Sequence, residues 1–232
     1  MKLSAQALAA FSIALFSLVA SGARAGNEST VLEQAQKLGA PMQAVQRAIT
    51  ASRSSEFTKK DVIAVFDISQ SSSKKRFYVL DFAKGKASSY LAAHGRGNGD
   101  NSRAYKFSGF GSDFTMTPLG PLKTSPQVER WHEYQTVVGK YDGKVYPNLV
   151  ILRFEGTTNY NSYINRQPGV AWILHSKWYV AADYRRTFPG MLGRSLGCIV
   201  LDPIYSNQVF TRLQGGALVY VTVGNQPVEK YL

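Results

Sequence analysis

The chain has 232 residues, a formal net charge of +12 and an ordinary hydrophobic fraction of 44%. Its length suits one domain with a sizeable core, and its 13 Tyr, 12 Phe and 3 Trp, together with frequent Gly and Ser, favour a β-rich fold. The basic residues are dispersed, without a Lys/Arg block or a basic amphipathic helix, which argues against nucleic acid as a partner. We interpret the charge as a general attraction to an anionic envelope, with a dedicated basic patch as the alternative.

The N-terminus has the pattern of a signal peptide over residues 1–25. Lys2 supplies a positive charge, residues 7–20 form an apolar run, and Ala23-Arg24-Ala25 gives the small-x-small pattern after which signal peptidase cleaves. The run is shorter than the ~20 residues that a permanent membrane helix needs, and no later segment is apolar for long enough to be a second one. We therefore expect a periplasmic protein with no membrane span.

Residues 26–58 predict an N-terminal helical segment. Apolar residues recur at helical spacing over two stretches between residues 28 and 54. Gly39 breaks the pattern, and Pro41 suits the first turn of a second helix. We expect this segment to cap the main domain.

The main domain, residues 59–232, is predicted to be mainly β with peripheral α-helices. Apolar runs at 62–68, 76–82 and 87–93, separated by polar or Gly-containing turns, indicate an antiparallel meander. A stretch rich in Gly, Ser and Asn at 95–114 predicts a long irregular loop, which is usually either functional or disordered. The remaining predicted elements are strands at 149–154, 170–174, 199–201 and 217–223 and a helix from Asp202-Pro203 to about Leu213.

Cys198 is the single cysteine of the chain. An exported protein normally uses cysteines in pairs, so a lone one is either buried and inert or retained for chemistry. It starts a predicted strand after a Gly-containing turn, and His175 ends the preceding strand, so the two side chains can lie side by side. A cysteine beside a histidine can form a thiolate–imidazolium pair suited to acyl transfer. The N–H groups of Gly197 and Cys198 can face a developing oxyanion.

The segment Ser195-Leu196-Gly197-Cys198, followed by the β-branched Ile199 and preceded by His175, resembles the catalytic signature of the L,D-transpeptidases. Further short motifs are similar to one divergent branch of that family, and they lie at residues 93–95, 107–109, 117–120, 155–156 and 193–195. The resemblance covers about residues 60–223. It implies a YkuD-like mixed β-sandwich or barrel in a single domain.

The resemblance also implies a reaction on peptidoglycan stem peptides. Cys198 would attack a diaminopimelate carbonyl and expel D-alanine, and an amine of a second stem would convert the thioester into a crosslink. His175 would serve as general base and acid, and Gly197 would offer a backbone N–H to the oxyanion. The reaction requires no metal and no organic cofactor. The side chains assigned to substrate binding are those of Ser195, Arg194, His94, Ser176 and Tyr179.

Some of these assignments have alternatives. Ser195 can hydrogen-bond within its own turn, and His94 can have a purely structural role. Either Ser176 or a backbone carbonyl can accept the hydrogen bond that orients His175. His132 lacks chemical neighbours and is interpreted as a surface or packing residue.

Two positions differ from the pattern that many family members share. Leu196 stands where those members have His, and Val200 stands where they have Arg. Binding of substrate carboxylates is therefore assigned to Arg194, Arg185 or Arg186.

The sequence leaves two other functions open. An L,D-carboxypeptidase would form the same thioester and release it to water. A non-catalytic wall-binding protein would use its basic surface and aromatic residues, and its cysteine would be inert. A zinc hydrolase is disfavoured because the three histidines do not have the spacing of metal ligands.

Overall fold

The computed structural model describes residues 27–107, 114–166 and 172–232. Several predictions fall wholly or partly outside these residues: the signal peptide, part of the loop at 95–114, part of the motif at 107–109 and the start of the strand at 170–174. Across the three described ranges, no helix is long and apolar enough to cross a membrane.

The described residues form eleven strands. They are β1 (Lys59–Asp67), β2 (Phe77–Asp81), β3 (Lys86–Tyr90), β4 (Ala92–Ala93), β5 (Gly120–Thr124), β6 (Val137–Val138), β7 (Val145–Tyr146), β8 (Leu152–Gly156), β9 (Ile173–Ser176), β10 (Ile199–Leu201) and β11 (Ala217–Thr222). Nine of them make one mixed, nearly closed, barrel-like sheet in the order β3-β2-β1-β11-β5-β8-β9-β10-β4. β6 and β7 form a separate hairpin. Within the large sheet β1 is parallel to β11 and β9 is parallel to β10.

Four α-helices of the described ranges surround the sheet: α1 (27–37), α2 (Met42–Ser52), α3 (Ala182–Thr187) and α4 (Pro203–Leu213). α2 packs against β1 and β11, and α4 packs against β1 and β9. α4 begins where the sequence predicts, because the Asp202 carboxylate accepts a hydrogen bond from the N–H of Ile204 at 3.1 Å and a proline occupies the first turn. The prediction of a mainly β domain with peripheral α-helices is confirmed.

The chain passes from one edge of the sheet to the other at Leu91. β3 completes the predicted meander with β1 and β2, whereas β4 pairs with β10 at the opposite edge. The prediction of a single strand over 87–93 is therefore wrong. Its run contains no Gly or Pro that would mark the point where the chain changes partner.

β5 is an interior strand that the sequence does not predict, because Gly120-Pro121 resembles a turn. Pro121 pairs with Tyr220 of β11, and its carbonyl accepts hydrogen bonds from the side chains of Asn161 at 2.9 Å and Thr157 at 3.0 Å. The N and the C=O of one strand residue face the same side of the strand. The missing N–H of Pro121 therefore faces these loop side chains, and the proline removes no bond from the ladder.

Two smaller differences from the predicted elements concern the position of one strand and the presence of one short helix. β8 runs from Leu152 to Gly156, later than the predicted strand at 149–154. α3 includes Arg185 and Arg186, and this helix is not among the elements that the sequence predicts. The helix is six residues long and its N-cap makes no side-chain hydrogen bond, so it lacks the signals that announce a helix in a sequence.

A second, smaller hydrophobic cluster lies beside the main core and contains Cys198. β4, β9 and β10 contribute to this cluster, and aromatic side chains pack against it. Its buried members are Ala93, Ile151, Ile173, Val180, Leu192, Cys198 and Val200. The fold thus places the single cysteine in apolar surroundings at the end of the sheet formed by β9 and β10.

Candidate active site

The parallel pairing of β9 with β10 brings Cys198 and His175 together. Leu174 pairs with Ile199, and His175 pairs with Val200. Because strand side chains alternate between the two faces, His175, Val200 and Cys198 project from the same face. Cys198 directly precedes β10, so the register places it diagonally across from His175 on that face. Both side chains are buried, with Cys198 9% exposed and His175 4% exposed.

The turn before Cys198 requires glycine at position 197. Gly197 has a φ of +97°, in the region that side-chain-bearing residues rarely adopt. A Cβ there would lie 2.7 Å from the carbonyl oxygen of Phe114 and 2.7 Å from Nε1 of Trp172. The N–H of Gly197 makes no hydrogen bond within the described ranges. This N–H is therefore available within the turn, and its predicted role at an oxyanion stays a prediction.

Ser195 holds the same turn in place. Its hydroxyl donates to the carbonyl of Cys198 at 2.6 Å, and its N–H donates to the carbonyl of His94 at 3.0 Å. Its own carbonyl accepts from the N–H of Arg96 at 2.8 Å. These bonds favour the alternative in which Ser195 shapes the turn, because its hydroxyl is buried and already used.

His175 is held in one tautomer. Its Nδ1 lies 3.1 Å from the carbonyl oxygen of Ser176, which can only accept, so Nδ1 carries the proton and Nε2 keeps a lone pair. Burial, with a smaller contribution from the charge of Lys177, lowers the pKa of His175 to about 4 against the opposing effect of the hydrogen bond to Ser176. His175 is thus a neutral base at neutral pH, oriented by a backbone carbonyl.

Burial raises the pKa of the Cys198 thiol to about 11, although a backbone hydrogen bond with Ile173 opposes this change. A thiol of that pKa beside an imidazole of pKa about 4 stays protonated at neutral pH. The resting pair is therefore neutral, and the thiolate–imidazolium pair suggested by the sequence is not its resting state. Proton transfer must be coupled to the chemistry at the thiol.

Tyr134 is a site residue that the sequence analysis missed. Its ring centroid lies 4.6 Å from that of His175. Burial raises the pKa of Tyr134 to about 12, with a smaller contribution from negative charge on Cys198. Tyr134 packs against the hydrophobic cluster that contains Cys198. Trp131 packs next to it, with ring centroids 6.1 Å apart. The signal available in the sequence was the pair of aromatic residues, Trp131 and Tyr134, on either side of the exposed His132.

Tyr179, which the sequence assigns to substrate binding, packs against the cluster that contains Cys198. Burial raises the pKa of Tyr179, and negative charge on Cys198 and Tyr134 adds to this effect. Its ring packs on Gly193, where a Cβ would lie 2.3 Å from Cγ of Tyr179. Tyr134 and Tyr179 therefore both belong to the aromatic surroundings of the cluster that contains Cys198.

His94 is buried beneath the turn and is only 1% exposed. Its Nδ1 lies 2.8 Å from Nη2 of Arg76, which can only donate, so the proton of His94 is on Nε2. Burial and the charge of Arg76 lower the pKa of His94 to about 3. A substrate in the cleft cannot reach this ring, so the geometry favours the structural alternative for His94 over the predicted substrate contact.

The three arginines assigned to substrate carboxylates already have partners. Arg185 pairs with Asp202, Arg186 pairs with Asp142, and Arg194 donates to Asn101 and to the carbonyl of Gly99. These contacts fasten α3 and the turn before Cys198 to neighbouring loops. Each guanidinium would have to leave a protein partner, or share it, in order to bind a substrate.

The structure also places Ser176, the last residue assigned to substrate binding, and the two positions that differ from the family pattern, Leu196 and Val200. The hydroxyl of Ser176 is buried and has no hydrogen-bond partner among the described residues, so it faces neither solvent nor cleft. Leu196 is 61% exposed beside the turn. Val200 is fully buried in the cluster around Cys198, where an arginine would place a charge in apolar surroundings.

The described ranges contain no group of three or more His, Cys, Asp or Glu side chains that could hold a metal ion. The chemistry available in this part of the molecule is that of a thiol, a neutral imidazole, two phenols and a free backbone N–H. This set suits nucleophilic acyl transfer.

Residues 34–222 match the family model of the L,D-transpeptidase catalytic domain. The chain belongs to this family. The match covers most of the chain and confirms the resemblance carried by the motif around Cys198, together with the YkuD-like single-domain fold that it implies. The matched residues include α2 and the whole of the large sheet.

Several solved structures are similar to this L,D-transpeptidase domain at low identity. L,D-transpeptidase 1 of Mycobacterium tuberculosis is 18% identical, with 70% of this chain and 61% of that one covered and a TM-score of 0.33. An L,D-transpeptidase from Mycobacterium smegmatis is 20% identical, with 70% and 58% covered and a TM-score of 0.36. The helical cell shape determining protein Pgp2 from Campylobacter jejuni is 13% identical, with 76% and 54% covered and a TM-score of 0.36.

The chain spans about three fifths of the length of the mycobacterial structures that it matches. No curated protein matches it.

Proposed function

We propose that the protein crosslinks peptidoglycan stem peptides in the periplasm through a thioester on Cys198. Membership of the L,D-transpeptidase family supports this type of function. The observation that carries the cysteine mechanism is the parallel register of β9 and β10, which pairs His175 with Val200, two residues after Cys198, with Nε2 of His175 unprotonated. The periplasmic location rests on the signal-peptide pattern of residues 1–25.

The first step forms the acyl-enzyme. Sγ of Cys198 bonds to the diaminopimelate carbonyl carbon of a tetrapeptide stem while the thiol proton passes to Nε2 of His175. Because the resting pair is neutral, this transfer accompanies the attack. The carbonyl oxygen takes up the negative charge near the N–H of Gly197. Collapse of the oxyanion breaks the C–N bond, and the imidazolium of His175 gives its proton to the leaving D-alanine amine.

The second step returns the enzyme to its starting state. An amine of a second stem attacks the thioester and loses a proton to His175, and the C–S bond breaks as the crosslink forms. The thiol then regains its proton from His175. The buried, aromatic-lined position of Cys198 supports an amine over water as the acceptor, because a thioester there is shielded from bulk water.

The test is product analysis with purified substrates. The protein without residues 1–25 is incubated with tetrapeptide muropeptides, and the products are identified by mass spectrometry. Crosslinked dimers that lack one D-alanine are expected. Tripeptide monomers alone would indicate the carboxypeptidase alternative and contradict crosslinking.

Matched variants separate catalysis from wall binding. Cys198→Ala and His175→Ala should abolish dimer formation, whereas His132→Ala removes an exposed histidine outside the proposed chemistry and should retain it. If Cys198→Ala formed dimers as the unsubstituted protein does, the cysteine mechanism would be wrong. If no variant and no parent protein acted on muropeptides while all bound purified sacculi, the wall-binding alternative would replace the proposal.

A further inference from the structure

Among the described residues next to His175, Lys177 is a cation that no acidic side chain neutralises. The proposed acyl donor carries carboxylates near its reacting carbonyl, and the three arginines discussed above are engaged elsewhere. Lys177 follows β9 directly, two residues after His175, and is half-buried. It forms no ion pair with any acid of the described ranges.

Tyr134 connects Lys177 to the catalytic pair. Nζ of Lys177 lies 5.0 Å from the centroid of the Tyr134 ring. The same ring lies 4.6 Å from that of His175 and packs against the cluster that contains Cys198. A cation over an aromatic face is restrained in position without using its N–H donors. The ammonium of Lys177 is thus held beside the site with its hydrogen-bonding capacity available.

We propose that Lys177 binds a carboxylate of the acyl donor and selects donor stems that carry it, an inference that rests on the proposed function of the site. Two carboxylates of a tetrapeptide stem have this chemistry. One belongs to the second amino-acid centre of diaminopimelate, and the other is the terminal carboxylate of D-alanine. A neutral amide in place of the carboxylate cannot mimic this contact, because an ammonium recognises the negative charge itself.

Binding of a carboxylate to Lys177 also changes the pKa of His175. The positive charge of Lys177 contributes to the low pKa of His175. A bound carboxylate neutralises that charge, so the pKa of His175 rises towards its ordinary value when the donor is in place. The imidazole then becomes a stronger base at the stage when it must accept the thiol proton.

The test compares three donors: the free tetrapeptide, the same stem with the side-chain diaminopimelate carboxylate amidated, and the same stem ending in D-alaninamide. The variants are Lys177→Met, which keeps the length without charge, and Lys177→Arg, which keeps the charge. Lys144→Met is the control, because Nζ of Lys144 also lies 5.0 Å from a tyrosine ring, that of Tyr146, in the β6–β7 hairpin. Acyl-enzyme formation is followed by intact-protein mass spectrometry, and thermal unfolding checks that each variant is folded.

Lys177→Met should lower kcat/KM for the free tetrapeptide at least about tenfold, mainly through KM, since a hydrogen bond to a charged group contributes that much. With one of the two amidated donors the loss should be under about twofold, and that donor identifies the carboxylate. Lys177→Arg should recover most of the activity, and Lys144→Met should resemble the parent protein.

Equal losses on all three donors, or no loss on any, would overturn the role of Lys177 while leaving the proposed function in place. If the parent protein formed no thioester with any of the three donors, both proposals would be wrong.

Discussion

The resting thiol of Cys198 should react slowly at neutral pH because burial raises its pKa to about 11. At pH 7 such a thiol is ionised to about one part in ten thousand, whereas an unperturbed thiol of pKa about 8.5 is ionised to about 3%. The ratio is about 300-fold. A more basic thiolate is also more nucleophilic, with a Brønsted coefficient of about 0.4–0.5, which offsets about tenfold of this difference. The expected net effect is a rate about 20 to 30 times below that of a free cysteine.

The assay is thiol–disulfide exchange with a small aromatic disulfide, followed from pH 6 to pH 11. The observed rate constant should rise about tenfold per pH unit up to about pH 10, because the thiolate is the reacting form. The pH profile reports the pKa independently of how far burial limits access to the thiol. Since the imidazole of His175 is uncharged at these pH values, His175→Ala should not raise the midpoint.

The opposite result would refute the neutral-pair interpretation. An imidazolium partner stabilises a thiolate, so a true ion pair would give a midpoint below about pH 8 that rises by a unit or more in His175→Ala. His132→Ala serves as the control for removing an exposed imidazole and should leave the profile unchanged. A low midpoint that His175→Ala raises would show that the site is poised as a thiolate before substrate arrives.

Two substitutions test the supports of the nucleophile turn. Gly197→Ala should lower acyl transfer more than about a hundredfold and destabilise the fold by about 1–3 kcal/mol, because its Cβ would lie 2.7 Å from the carbonyl of Phe114 at a φ of +97°; normal activity and an unchanged melting temperature would contradict this. Arg76→Met should destabilise the protein by about 3 kcal/mol or more in urea unfolding, because it leaves three buried carbonyls and Nδ1 of His94 without their donor. The exposed Arg96→Met is the control and should change stability by less than about 0.5 kcal/mol.

The proposed catalytic pair could be named from the sequence because its signals are local. A lone cysteine, the preceding glycine and an upstream histidine at the end of an apolar run are visible in the sequence, and strands of that length bring their ends together. α4 was equally accessible, since Asp202 and Pro203 are a cap and a first-turn residue. These features depend on a few neighbouring residues and on rules that the fold does not override.

Other features depend on contacts between distant segments and could not be read from the sequence. Tyr134 reaches His175 only because the loop after β5 packs against β9, which no local pattern encodes. His94 precedes a Gly-rich stretch, which suggests a place in the cleft. In the structure the buried Arg76, the residue before β2, donates a hydrogen bond to the ring of His94. The change of partner at Leu91 is a property of the closed sheet, and the run of residues around it has a uniform strand pattern.

The neutral state of the site is likewise a product of the fold. Side-chain types suggest a thiolate beside an imidazolium, but the cluster around Cys198 removes both groups from water, and burial disfavours the charged form of each. Only the packed structure decides between these states. A reaction in which attack and proton transfer proceed together follows from it.

Cys198 is the proposed acyl acceptor, and intact-protein mass spectrometry tests this role directly. The mature protein is mixed with a tetrapeptide donor in the absence of an acceptor amine, quenched in acid and digested to locate any adduct. We expect a mass increase equal to the donor without its terminal alanine, attached to Cys198 and absent from Cys198→Ala. An adduct on another residue, or an equal adduct in Cys198→Ala, would contradict the account.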